Sequence, residues 1–202
     1  QGISRNPNVI LIEEDPLREV VGVLPASDAT TAQTVPYGID MVQARDVWDA
    51  DRDGAVDDGA PTGSDRTICI IDSGLDTLHE DFQGVNVLGG YTTLADGWAD
   101  DGFGHGTHVA GTIAAMNNAI GVVGVTPGTV KLYIVRVFGD NGKWAYASDL
   151  IDAAYHCQSG GANIISMSLS GNRPSDTEEA GFNALYADGI LSVAAAGNAG
   201  TS

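Results

Sequence analysis

The chain has 202 residues, with 9 Lys plus Arg set against 27 Asp plus Glu, a formal charge of −18. So acidic a surface argues against a nucleic-acid partner, because phosphate contacts need clustered cations. No apolar run approaches the roughly 18 residues that would cross a bilayer, and 43% apolar residues can build the core of one domain, or of a domain with an appendage. The start, Gln1-Gly2-Ile3-Ser4, has neither an initiator Met nor a signal-peptide core, so the chain reads as excised from something longer. Of the acids, 21 are Asp, a residue suited to turns and cation ligation. Two cysteines, Cys69 and Cys157, are compatible with one bridge in an oxidising compartment or with two buried thiols.

In chain order, residues 8–13 (NVILIE) form a short β-branched run between Pro7 and Pro16 and predict a strand. Residues 20–34, rich in Ala, Ser, Thr and Pro, predict a linker. Met41, Ala44 and Trp48 recur at the spacing of one helix face over 39–48, and seven Asp follow between Asp46 and Asp65. Strands are then predicted at 67–71 and 85–91. A helix follows over 105–116, with His108, Val109, Thr112, Ile113 and Met116 on one face. A strand at 131–138, a helix at 146–157, a strand at 162–167, a helix at 177–188 and a strand at 190–195 complete the series. Ser175 with Glu178 makes a capping box for that last helix, and Gly189 suits its left-handed C-terminal position. Strands of near-continuous apolar residues alternating with helices predict an α/β fold, a parallel sheet with helices on both faces.

In such sheets function gathers at the carboxyl ends of the strands. Asp72 ends one apolar run, and Gly104-His105-Gly106-Thr107-His108 opens an apolar helix, where the dipole favours a neutral imidazole able to act as a base. Asn198 follows the last strand on a glycine turn, where its amide can face a developing oxyanion. Singly, each is as well explained as a cap or turn residue. The i, i+3 spacing of His105 and His108, without an intervening glutamate, does not make a zinc pair.

Asp49-Ala50-Asp51-Arg52-Asp53-Gly54 sets three carboxylates at alternate positions before a glycine, the opening of an EF-hand-type calcium loop. The twelfth position is Ala60, so Asp57 or Asp58 must complete the shell of this 49–60 insertion. A solvated acidic loop is the alternative.

Taken together, Ile71-Asp72-Ser73-Gly74, His105-Gly106-Thr107-His108-Val109-Ala110-Gly111-Thr112 and Ala195-Ala196-Gly197-Asn198 resemble the subtilisin-like serine proteases. Val35-Pro36-Tyr37-Gly38, His79-Glu80-Asp81-Phe82, Asn117-Asn118-Ala119-Ile120-Gly121-Val122 and Ser166-Met167-Ser168-Leu169 agree in order and spacing. The resemblance implies that Asp72 orients His105, that His105 is general base and then acid, and that Asn198 supplies an oxyanion-hole amide. The family nucleophile opens a late helix in a Gly-Thr-Ser-Met-Ala segment. Here Gly200-Thr201-Ser202 follows Asn198 too closely, so the serine is expected beyond this chain, on the C-terminal remainder of the peptidase domain, joined to it or separate. Ala32-Gln33-Thr34-Val35-Pro36-Tyr37-Gly38 is similar to the start of the mature enzymes. Residues 1–31 are therefore expected to be a pro-region remnant and linker, with a cut between Thr31 and Ala32, and residues 32–202 the N-terminal part of the peptidase domain.

The resemblance also implies a calcium site from Gln33 and Asp81 with Met116, Asn118, Ile120 and Val122, and a cleft in which Gly142, Trp144 and Tyr146 on one side and Ser168, Leu169 and Ser170 on the other hold an extended peptide. The expected protein is a secreted, calcium-dependent serine endopeptidase acting on protein or peptide substrates and held by its own pro-region. The alternative is a catalytically inactive calcium-binding or peptide-binding module.

Overall fold

The computed structural model describes residues 7, 9–21, 32–142 and 145–198. Its centre is a five-stranded parallel sheet in the order β3-β4-β2-β6-β8, from β2 (Thr67–Asp72), β3 (Asn86–Thr92), β4 (Lys131–Arg136), β6 (Ile164–Met167) and β8 (Leu191–Ala194). The strands predicted at 67–71, 85–91, 131–138, 162–167 and 190–195 are all present, with ends moved by a few residues. β2 lies in the middle, pairing Ile70 with Ile134 on one side and Ser166 on the other. A strand buried on both faces has no room for a polar alternation, which is why Thr67-Ile-Cys-Ile-Ile reads as a continuous apolar run.

The two faces carry separate cores. Ile70, Leu132 and Ile134 pack against Ala110 and Ala114 of α3 (His105–Ala114) on one side. Cys69, Ile71, Val135, Ile165 and Met167 pack on the other against α4 (Ala147–Ser159), with Leu185 of α5 (Asp176–Ala187). A disulfide joins Cys69 of β2 to Cys157 of α4, both wholly buried, which decides between the bridge and the free thiols. Ser175 accepts from the Glu178 amide at the start of α5, half of the predicted capping box, while the Glu178 carboxylate is taken by Arg18; Gly189 beyond the helix end adopts φ 86°, as predicted.

Three elements differ from expectation. The helix predicted over 39–48 is two short ones, α1 (Tyr37–Met41) and α2 (Arg45–Trp48), because the chain turns through Gln43 at φ 58°. In α3 the buried residues are His105, Gly106, Ala110 and Ala114, whereas His108 and Thr112 face outward. Helix and sheet approach so closely there that only small side chains fit between them.

The third difference lies at the N-terminus. Residues 9–13 form no strand; Ile10, Leu11 and Ile12 are exposed. The strand is β1 (Leu17–Val20), just after Pro16 and ending where the segment read as linker begins. The acids before it are drawn to helix N-termini instead of a sheet. Glu13 accepts from the Asp176 and Thr177 amides and from Ser175 Oγ at the start of α5, and Asp15 accepts from the Ser148 amide at the start of α4. These hydrogen bonds, with those of Thr177 and Ser175 first, hold the Glu13 carboxyl at about 2 against an ordinary 4.5.

β1 is the middle strand of a second, antiparallel sheet, between β5 (Ala145–Tyr146) and β7 (Leu169–Gly171). Leu17 pairs with Tyr146, Arg18 with Gly171, Glu19 with Ser170 and Val20 with Leu169.

Candidate active site

Asp72 ends β2, and His105 opens α3. The imidazole Nδ1 lies 2.8 Å and 2.9 Å from the two Asp72 carboxylate oxygens, both residues being almost fully buried. The helix start is fixed by Asp101. Its Oδ1 accepts from the Gly104 amide (2.8 Å) and Ser73 Oγ (2.8 Å), and its Oδ2 from the Thr107 amide (2.8 Å) and Thr107 Oγ1 (2.6 Å). Arg136, buried on the strand beside Asp72, donates to the Gly97 and Asp100 carbonyls and to Asp140, which pins the loop carrying Asp101. Neither Asp101 nor Arg136 stood out in the sequence. An Asp a few residues ahead of a helix start was the available signal for the first, and a lone basic residue at the end of an apolar strand for the second.

Gly106 sets the distance between helix and strand. A Cβ there would stand 2.2 Å from the Gly74 carbonyl oxygen and 3.2 Å from Asp72 Cβ. Gly106→Ala is therefore expected to push α3 off β2, destabilising the protein by about 1–3 kcal/mol through overpacking and lowering activity more than the stability loss explains. Thermal melts and kinetics on the full-length protein check this. A variant with the wild-type midpoint and rate would show that the contact does not position His105.

The other imidazole nitrogen, Nε2, lies 3.0 Å from the carbonyl oxygen of Val21, the residue after β1, and the Val21 amide donates to Ser168 O at 3.0 Å. Both ring nitrogens thus face acceptors, an arrangement that favours the doubly protonated ring. Burial pulls the imidazole pKa down. The Asp72 hydrogen bond and charge, with smaller help from Val21 and Asp101, more than offset it, and the net shift is upward from 6.5.

The cleft residues expected from sequence lie around this strand. Tyr146 pairs with Leu17 on one side; Ser168, Leu169 and Ser170 take Val21, Val20 and Glu19 on the other. Gly142 precedes β5 at φ 64° with Phe103 against it, and Trp144 lies outside the described residues. Asn198 follows β8 and is exposed.

Two places suit a cation. Asp49, Asp51 and Asp53 bring one carboxylate oxygen each within 4.8 Å of one another, and this acidic cluster could coordinate a divalent ion. Asp49 is wholly buried, and its Oδ2 has no hydrogen-bond partner, with Arg45 Nε 3.6 Å away. Arg45 brings a positive charge to this oxygen without a hydrogen bond, and the all-oxygen donor set of the three carboxylates fits a hard ion. Asp57 is turned instead onto the Ala50 amide (2.8 Å), and Asp58 is exposed; neither joins the three.

At the second place Gln33 Nε2 stands amid four oxygens, Met116 O at 2.8 Å, Val122 O at 3.2 Å, Ile120 O at 3.3 Å and Asn118 Oδ1 at 3.4 Å. Asp81 accepts from the Val122 amide on the same loop, and burial pushes its carboxyl up. Such a ring of oxygens suits an ion as well as it suits an amide N–H.

The model of the Subtilase family matches residues 63–202, the stretch that carries β2 through β8 with Asp72 and His105. The chain belongs to the subtilase family. It is 37% identical to M-protease from Shouchella clausii (strain KSM-K16) over 199 residues, 98% of this chain and 46% of that protein. Identity to subtilisin E of Bacillus subtilis (strain 168) is 36% over 202 residues, 99% and 47% respectively. Among solved structures it resembles the psychrophilic subtilisin-like protease Apa1 from the Antarctic psychrotroph Pseudoalteromonas sp. AS-11, with TM-score 0.71 and 43% identity over 84% of this chain and 37% of that one. This subtilase chain thus spans about half the length of the curated relatives it matches.

Proposed function

We propose that the chain is the N-terminal part of a secreted, calcium-dependent serine endopeptidase. In this reading His105 is the general base and then acid, Asp72 orients it and stabilises its charge, and Asn198 supplies an oxyanion-hole amide. The nucleophilic serine lies on the C-terminal remainder of the peptidase domain. That remainder would also cover the β8 edge, where Leu191 and Val193 are half exposed. The observation that carries the reading is the Val21 peptide unit, whose carbonyl meets the base while its amide is held by Ser168. A protein substrate would bind as β1 does, as an added strand.

Residues 1–31 then act as a pro-region remnant and linker that inhibits twice, by filling the cleft and by keeping a proton on the base. The register of β1 presents the bond after Val21 for a first cut, ten residues ahead of the Thr31–Ala32 boundary. The Cys69–Cys157 bridge supports an oxidising, extracellular location.

Calcium would be held by Asp49, Asp51 and Asp53, with Asp57 and Asp58 close in sequence. A second ion would be held by Gln33, Asp81 and the oxygens of Met116, Asn118, Ile120 and Val122. In both places it supplies fixed positive charge to a loop. Chelation is expected to lower the stability of the full-length protein by about 2–3 kcal/mol for each site, about 5 kcal/mol for both, relative to calcium at a hundredfold its Kd. Asp49→Asn should remove part of that increment. A melting temperature indifferent to calcium would contradict it.

The test of function is hydrolysis of casein by the full-length protein in calcium, with and without a sulfonyl fluoride. Cleavage that the inhibitor abolishes is the expected result. Casein bound but uncut would favour the inactive peptide-binding reading.

A further inference from the structure

We propose that Glu178 makes the cleft select a basic side chain, arginine first, at the fourth residue upstream of the cleaved bond. The proposal rests on the peptidase reading above, which makes Val21 the residue whose carbonyl is attacked. Counting back through β1, Val20 and Glu19 are second and third, and Arg18 is fourth.

An arginine is almost never fully buried without a partner, yet Arg18 is 4% exposed. Its side chain forms one wall of a cavity of about 240 Å³ that Leu150, Met167, Leu169 and Phe182 also line. Glu178 reaches into the same space. Arg18 Nε donates to Glu178 Oε1 at 2.7 Å and Nη2 to Oε2, the two-pronged pairing that the guanidinium fork allows and an ammonium does not. Nη1 donates to Leu17 O at 3.0 Å.

The pocket is shaped for the guanidinium as well as charged for it. A Cβ at Gly171 would stand 2.3 Å from Nη1 and 2.8 Å from Cζ, so the bare backbone there leaves room for the group. Glu178 is fixed by the first turn of α5, its amide bonded to Ser175 Oγ, and its side chain is only 15% exposed. When the N-terminal strand leaves, this carboxylate loses its partner beside the apolar side chains of Leu150, Met167 and Phe182. A leucine in its place at the fourth position would bury the charge unpaired, whereas an arginine restores the pair. Arg173, which lines the same cavity, is engaged with Glu14 on the departing segment and is placed to compete, which sets a ceiling on the selectivity.

The experiment uses the full-length protein after removal of its N-terminal segment, with peptides Xaa-Glu-Val-Val-p-nitroanilide in which Xaa is Arg, Lys, Leu or Glu. Arg is expected to exceed Leu in kcat/KM by on the order of thirtyfold, the lower range for breaking a buried interfacial charge pair. Glu178→Gln should cut that ratio to within about threefold, and Glu178→Leu should reverse it. Equal rates for Arg and Leu in the wild type, or a ratio that Glu178→Gln leaves unchanged, would overturn the proposal. Binding of a peptide of residues 13–21 to the same protein, measured by calorimetry, separates the subsite from the catalysis. Arg18→Leu in that peptide should weaken binding at least about tenfold even if nothing is hydrolysed, and equal affinity would refute the subsite on its own.

Discussion

Replacing His105 by alanine in the full-length protein is expected to lower kcat by about six orders of magnitude, and Asp72→Asn by about four. Both magnitudes are those established for the triads of subtilisin and the trypsin-like proteases, carried over from that precedent. What the chain supplies is the geometry: an imidazole pinned at Nδ1 by both carboxylate oxygens, on a helix start tied to Asp101. Asp72→Asn keeps the shape but can present an N–H to Nδ1, so the ring takes the wrong tautomer and the charge that raised its pKa is gone. Imidazole resonances followed against pH should show His105 titrating above 6.5 in the intact protein and moving down in Asp72→Asn. Because docking of Val21 raises the His105 pKa, its contribution to holding the segment is fully present below the ordinary imidazole value and is lost as pH rises through the raised one. The N-terminal segment should therefore hold more weakly at alkaline pH. Tighter docking on raising the pH through that value would contradict a protonated base.

The second large effect is expected from the Cys69–Cys157 bridge. It closes 88 residues of chain, from the central strand to the helix that covers it. Constraining a loop of that length in the unfolded chain contributes on the order of 4–5 kcal/mol. Cys69→Ala with Cys157→Ala should lower the melting temperature of the full-length protein by roughly 5–10 °C. Alanine is preferred to serine because both positions are fully buried and a hydroxyl there would lack a partner. A fall of less than about 1 kcal/mol would mean that the buried core around Ile71, Ala154 and Ile165 holds without it.

The parallel sheet was legible because β2, β4 and β6 are buried on both faces and read as unbroken apolar runs. The pairing of Asp72 with His105 was legible from the resemblance of their two motifs taken together, not from either residue alone. Less legible was anything decided by close approach. Hydrophobicity grouped Val109, Ile113 and Met116 on one face of α3; Val109 and Ile113 do pack partly buried against the core, but helix and strand meet so closely that Gly106, Ala110 and Ala114 take the innermost places. β1 was missed for a related reason: Leu17-Arg-Glu-Val carries charge at two of four positions and is apolar only in part. Its buried residue is an arginine, intelligible only with Glu178, 160 residues away. Likewise nothing in the sequence singled out Glu13 and Asp15, and only the placement of two helix N-termini gives them work.

The most direct test of the central claim is labelling of the full-length protein with a fluorophosphonate probe before and after residues 1–31 are removed, with the labelled peptide mapped. One labelled serine is expected, outside residues 1–202, reacting only once the segment is gone and not at all in His105→Ala. No labelling in either form, or labelling at Ser202, would contradict the claim.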